Sequence, residues 1–293
     1  MSGNGLGIAL MSVTMLSLAV QDGFSRHLAG EYNVFMVVMI RYWFFVALAL
    51  GLAARRAGGI RGTFATKQPG LQIARGLILA AEICVLVGAF VLLGLTESHA
   101  VFAICPLLVA ALSGPVLGER VGLWRWLAIG AGFVGVIVIL QPDGGVFAPA
   151  ALIPVAAAAM FAIYALLTRL ASRRDPTATS FLWTGTVGAV AMTGVGLWFW
   201  EPMSAGDWGF MAGLCAISAL AQWLFIRTYE VAEASVVQPF AYLQLVFAAA
   251  IGVVVFDETL RINVAIGAAV VIAAGLVTLW RQHRADRHGQ SRR

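Results

Sequence analysis

The chain has 293 residues, of which 61% are hydrophobic and only 11% charged, and its mean hydropathy is +0.90. Soluble domains carry roughly 25% charged residues, so this composition excludes a soluble enzyme and puts the chain in a membrane. A net charge of +5 would suggest nucleic acid in a soluble protein. Here the Lys and Arg sit at the ends of apolar runs, where they orient the chain in a bilayer and imply no nucleic-acid partner.

Crossing ~30 Å of hydrocarbon takes about 20 apolar residues. Ten runs meet that need, at about 5–25, 33–54, 74–94, 98–117, 122–140, 150–170, 177–199, 207–228, 234–255 and 262–280. The first reads as a retained helix and not a secretory signal, because Met1 to Asn4 carries no positive charge and no small-residue cleavage site stands out. Asp22 lies near the end of run one and Arg41 inside run two. Glu82 lies about six residues into run three, roughly 9 Å deep at 1.5 Å per residue. Pro106 and Pro115 in run four and Pro239 in run nine are expected to interrupt their helices, which widens cavities and frees carbonyls. Ala128, Ala131, Gly132 and Gly135 in run five, like Ala269 and Ala273 in run ten, have small-xxx-small spacing. That spacing means close helix packing, and it leaves a dimer open as the alternative to a monomer. The tail after Trp280 is short, basic and expected to be mobile.

The three cysteines, Cys84, Cys105 and Cys215, stand singly inside apolar runs. Without metal-ligand spacing or a disulfide framework they read as small buried hydrophobes, and no metal or cofactor is implied. With the N-terminus inside, sixteen of the 19 Lys and Arg fall on the cytoplasmic side, counting Arg75 with the second loop. Arg26 and Arg261 fall outside. Such a bias places both termini in the cytoplasm.

The chain echoes itself. A polar step at Thr96 to His99, an apolar run with Pro106, the turn Gly118-Glu119-Arg120 and a Gly/Ala-rich run to Leu140 return as Glu233 and Ser235, Pro239 and Tyr242, the turn Asp257-Glu258-Thr259 and a Gly/Ala-rich run to Leu279. Glu97 and Glu233 are offset by 136, Glu119 and Glu258 by 139, and Arg26 and Arg169 by 143. The last offset makes Gln21 and Tyr164 equivalent. These offsets divide the chain into five-run copies at 1–145 and 146–293. An odd number of crossings turns the second copy upside down, and inverted repeats are the build of secondary transporters, with a substrate site near the midplane.

With ten runs, two copies and the Pro…Gly-Glu-Arg and Pro…Asp-Glu-Thr turns, the chain resembles the drug/metabolite transporter superfamily, in its members with two EamA-type repeats. Ile40-Arg41-Tyr42 looks like that repeat's Arg-aromatic feature, and Met160 to Tyr164 with Arg169 like the first helix of its second copy. Within the superfamily the span pattern is most similar to bacterial aromatic and neutral amino-acid exporters. The resemblance implies an all-α protein of the bacterial inner membrane, with ten helices in two inverted five-helix repeats around a central cavity and alternating access between the two faces.

Charged side chains in mid-bilayer need a partner or a watery cavity. Glu82 either faces the cavity, binding an ammonium group or a proton, or pairs with a neighbouring helix. Arg41 is expected to pair with Asp22 or Glu82 as a structural device. Gln21, Gln222, Gln238 and Gln244 offer both donors and acceptors, suited to a zwitterion, while Tyr164, Trp223 and Tyr242 could stack on an apolar or aromatic group. Interhelical hydrogen bonding is the plainer role for each of them. His99 is either a polar cap at a short outer loop or a cavity contact. Glu119 and Glu258 read as loop-ordering residues. Scarce cavity charge argues against polyanionic cargo, and no nucleophile–base or metal constellation supports an intramembrane enzyme. The expected function is export of small neutral metabolites, foremost amino acids; the alternative is another small solute such as a drug, a vitamin or a nucleoside-like metabolite.

Overall fold

The computed structural model describes residues 3–117, 123–139, 150, 152–232, 237 and 240–290. Glu119, Glu233, Ser235, Gln238 and Pro239 lie outside the described residues, so expectations for them are not addressed by the structure. The described chain is helical throughout, with α1 (Gly3–Glu31), α2 (Val34–Ala54), α3 (Gly59–Phe64), α4 (Pro69–Leu93), α5 (Leu95–Phe102) and α6 (Cys105–Leu117). There follow α7 (Leu123–Ile139), α8 (Leu152–Ser172), α9 (Thr177–Gly196), α10 (Ala205–Val231), α11 (Leu243–Phe256) and α12 (Ile262–Gln290).

Seven stretches among the described residues are long and apolar enough to cross a membrane: α1, α2, α4, α5 with the first part of α6, α8, α9 with the turn after it, and α10. Shorter apolar helices occupy Leu243–Phe256 and Ile262–Ala274. Two boundaries differ from expectation. Pro69 stands at the first turn of α4, where its fixed φ and missing N–H favour helix initiation, so α4 starts five residues before run three. The tail expected to be mobile continues α12 to Gln290.

Pro106 behaves as expected: the helix breaks at Ala103 and Ile104, just ahead of it, because its ring excludes a continuous ladder there. Pro115 does not break α6, which continues to Leu117.

Helices from the first half of the chain pack mainly on helices from the second: α1 on α10 and α11, α2 on α9, α4 on α8 and α9, and α7 on α12. Close approach needs small residues. A Cβ on Gly188 of α9 would lie 2.0 Å from the Tyr42 ring of α2, and one on Gly135 of α7 would meet Gly267 and Val271 of α12. The small residues of run five that make close contacts therefore do so inside the protomer: Gly135 meets α12 and Gly132 meets Leu107 of α6. Ala131, Ala269 and Ala273 stay exposed.

The ends of α10 fix the direction of α1 and α8. His27 of α1 and Tyr32, just past its end, bond Asp207 at the start of α10. Arg169 and Ser172 of α8 bond the Tyr229 carbonyl at its end. A helix of 27 residues is roughly 40 Å long. The C-terminal ends of α1 and α8 thus lie at opposite ends of the molecule, called below the Arg26 end and the Arg169 end. Near the Arg26 end Trp43 stacks on Trp200 and Trp198 is exposed, the placement of an interfacial aromatic belt facing lipid headgroups.

Candidate functional site

One face of α4 carries Gln72, Arg75, Leu79, Glu82 and Leu86 at alternating three- and four-residue steps, and all are buried. That periodicity aims the polar members inward together. Glu82 is 13 residues past Pro69, roughly 20 Å along a 25-residue helix. It therefore lies in mid-span and not about 9 Å deep, because the helix starts earlier than run three.

Glu82 lines a polar chamber with Gln21, Asp22, Arg41, Gln222 and Gln244. A second, aromatic chamber is lined by His99, Phe225, Tyr229 and Tyr242, with the broken helix contributing Ala103, Cys105 and Pro106. Phe102, Phe161 and Gln244 belong to both. The two spaces are thus neighbours across a wall formed by Phe102 and Phe161, whose rings are 5.6 Å apart. Each holds only about 30 Å³, room for about two waters. A metabolite-sized ligand requires the helices around this conformation to separate.

Asp22 is the polar node between the chambers. Its Oδ1 accepts from the Gln21 amide at 3.2 Å and its Oδ2 from the Gln244 amide at 3.0 Å. His99 Nε2 lies 3.1 Å from the same Oδ2, close enough for an ion pair when protonated but misaligned for a hydrogen bond. His99 is 1% exposed and stacks against Phe90 at 5.1 Å, so it is a cavity contact and not a loop cap. Arg41 lines the polar chamber, yet among the described residues it forms no ion pair with Asp22 or Glu82. That expectation is corrected: packing holds the three groups around one space without bringing the guanidinium onto either carboxylate. Among the described residues Glu82 Oε1 has no hydrogen-bond partner, and neither do the Tyr42 and Tyr242 hydroxyls.

Tyr164 stands behind the polar chamber. Its hydroxyl accepts from Gln222 and, at 3.4 Å, from Arg75. Arg75 is 0% exposed. It donates to the Thr168 hydroxyl at 3.1 Å and to Gln72, whose amide reaches Asp175 at 2.8 Å. A polar chain so runs from Asp175 at the Arg169 end to Gln222 at the chamber. Arg75 was expected in a cytoplasmic loop; the early start of α4 places it inside. Its three- and seven-residue spacing from Gln72 and Glu82 was the available signal. Phe102, Phe225 and Tyr229 were missed because isolated aromatics in apolar runs carry no pattern.

Trp223 is 42% exposed and points away from both chambers, a correction with a simple cause: one residue on from Gln222 is about 100° around the helix. Among the described residues no group of three or more His, Cys, Asp or Glu could hold a metal ion.

The family model for EamA-like transporters matches residues 5–141 and again 148–280. A riboflavin transporter of Vibrio cholerae serotype O1 is 26% identical over 96% of this chain and 95% of its own. A riboflavin transporter of Brucella anthropi is 28% identical over 85% and 89%. An S-adenosylmethionine uptake transporter of Rickettsia felis is 23% identical over 95% and 94%. A solved crystal structure 17% identical superposes with a TM-score of 0.66, covering 94% of this chain and 95% of the other, and shares its fold. The chain is a multi-pass membrane protein with two EamA repeats, and it belongs to the EamA-like transporter family.

Proposed function

We propose that this chain carries a solute with a flat heteroaromatic ring joined to a polar or zwitterionic chain, by alternating access between two inverted five-helix repeats at 1–145 and 146–293. The observation behind this reading is the pair of adjoining chambers. One offers stacking faces from Phe102, Phe161, Phe225 and Tyr229, and the other offers amides, carboxylates and a guanidinium. Aromatic faces suit a conjugated ring, and convergent polar groups fix orientation. Relatives named as riboflavin and S-adenosylmethionine transporters handle solutes of this shape. The opposed ends of α1 and α8 support the inverted repeat, and the basic residues gathered toward the Arg169 end support cytoplasmic termini in a bacterial inner membrane.

Amino-acid export remains the second reading. It is favoured by Arg41 lining the same space as Asp22 and Glu82, one charge for each end of a zwitterion. Counterflow in proteoliposomes with labelled riboflavin, S-adenosylmethionine, tryptophan and phenylalanine tests both. Movement of the ring-plus-chain solutes supports the lead, movement of amino acids alone supports the second, and no movement of any rejects the carrier reading.

A further inference from the structure

The two carboxylates of the polar chamber are not alike. Asp22 accepts hydrogen bonds from Gln21 and Gln244, and His99 approaches it at 3.1 Å. Glu82 is 2% exposed and lines the chamber, and its Oε1 lacks a hydrogen-bond partner among the described residues. The glutamine amides and the imidazole around it are directed elsewhere. Gln222 donates to Tyr164, Gln21 and Gln244 donate to Asp22, and His99 reaches Asp22 and not Glu82. Arg41 forms no ion pair with Glu82 among the described residues.

Leaving a buried carboxylate oxygen without a donor is costly wherever it occurs, and in a membrane span such groups are retained beside a pathway or a partner. Lining a cavity in mid-span, between two inward faces, this oxygen is placed for a partner that arrives from outside the chain.

We propose that Glu82 anchors an organic cation on the cargo, best an ammonium group, which neutralises the carboxylate and donates to its unpartnered oxygen. The inference rests on the carrier reading above and narrows it: the ring lies in the aromatic chamber, the cation on Glu82, and Asp22 stays occupied by its glutamines. A cargo carboxylate, where there is one, falls to Arg41. A proton on Glu82 would relieve the same lone carboxylate, so the test separates cargo from proton.

Wild-type protein and Glu82→Gln are compared in proteoliposomes with S-adenosylmethionine and tryptophan, which bear an ammonium group, and riboflavin, which bears none. The expected result is movement of at least one ammonium-bearing solute, with its KM raised at least tenfold in Glu82→Gln and at least fivefold more than any rise in the KM for riboflavin. An unchanged KM for the ammonium-bearing solute overturns the proposal. A lost pH dependence at unchanged KM overturns it too, in favour of a proton. Wild-type movement of riboflavin alone overturns it while leaving the carrier reading standing, whereas a folded wild type that moves none of the three removes both. If Glu82→Gln fails to fold, Glu82→Asp decides. With its charge kept but drawn back by one methylene, it raises the KM of the ammonium-bearing solute three- to tenfold, more than any rise in the KM for riboflavin, and equal KM values for wild type and variant overturn the proposal.

Discussion

Glu258, in the connection between α11 and α12, forms an ion pair with Arg26 of α1, a residue 232 positions earlier in the chain. The same carboxylate accepts from the backbone N–H groups of Leu95 and Thr96 at 2.7 and 2.8 Å, and from the Thr96 hydroxyl. It therefore caps the N-terminus of α5, where free N–H groups and the helix dipole favour an anion, and ties α1, α5 and α11 together at the Arg26 end.

Replacing Glu258 by Gln removes the charge from a site built for it. Loss of the charge-assisted bonds is expected to cost about 1–3 kcal/mol, read as a lower melting temperature in detergent. Burial pushes the Glu258 carboxyl up, but the bonds from Thr96 and Leu95 and the Arg26 charge outweigh it and hold the group below its ordinary value. A depressed folded value means that this stabilisation is fully present above the unfolded pKa, about 4.3, and is lost as pH falls through the folded value. Wild type should therefore lose the contribution only in acid, and Glu258→Gln should show a flatter melting profile below about pH 4. Parallel profiles would remove Glu258 from the acid response.

Gly94, between α4 and α5, has φ 83°, and a Cβ there would lie 2.7 Å from Glu258 Oε1. Gly88, within α4, has nothing within 4 Å of a built Cβ. Gly94→Ala is expected to destabilise by about 1–3 kcal/mol through backbone strain and the displaced carboxylate. Gly88→Ala should be neutral or gain up to about 1 kcal/mol of helix propensity. Melting temperatures of the two variants, in one detergent, give the comparison, and equal shifts would contradict the crowding at Gly94.

Among the described residues Arg75 has no carboxylate in direct contact; its compensation passes through Gln72 to Asp175. Removing the guanidinium in Arg75→Leu leaves Gln72 Oε1 without its donor and Tyr164 short of one, at about 1–3 kcal/mol for each orphaned group. Arg75→Lys keeps the charge but not the fork that reaches Thr168, Gln72 and Tyr164 together, so it should recover less than half of the loss. A double-mutant cycle of Arg75→Leu with Asp175→Asn should give a coupling above about 0.5 kcal/mol; simple additivity would break the relay into separate contacts.

Direction along the bilayer can be read by labelling. His27 is half-exposed at the Arg26 end and Arg173 is exposed beyond Arg169. An impermeant maleimide applied to intact cells should modify His27→Cys and spare Arg173→Cys until the membrane is opened. The native Cys105 and Cys215 are buried and Cys84 is partly so, which keeps background low. Labelling of both on intact cells would put the ends of α1 and α8 on one face and end the inverted arrangement.

Much of this architecture was legible because hydrocarbon imposes a length on helices and the chain repeats itself. Run lengths found the long helices, Pro106 marked the break beside the aromatic chamber, and Glu258 was recognisable as a loop-ordering residue. Burial direction was less legible: a span hydrophobic all round has a weak polar face, so Trp223 and Gln222 read alike although the helix turns one out and the other in. Arg75 was hidden for a different reason. Its run starts with polar residues, and only Pro69 as a helix start moves it from loop to interior. The Asp22–His99 approach joins residues of different helices, and no spacing along the chain encodes it.

The Gln222 and Trp223 pair offers the sharpest test of which face of α10 meets cargo. Gln222 lines the polar chamber and donates to Tyr164, so Gln222→Ala removes one wall of the chamber and leaves the Tyr164 hydroxyl with Arg75 alone. Trp223 is exposed about 100° further round the helix, where its ring lines neither chamber. Gln222→Ala is expected to raise the KM of whichever solute the wild type moves by at least fivefold. Trp223→Ala should change it by less than twofold, at unchanged melting temperature. Tyr164→Phe should fall between them, since it keeps the ring that stacks on Phe225 at 5.7 Å and loses only the hydroxyl. A larger effect at Trp223 than at Gln222 would turn α10 around, and the polar chamber could no longer be the place where cargo binds.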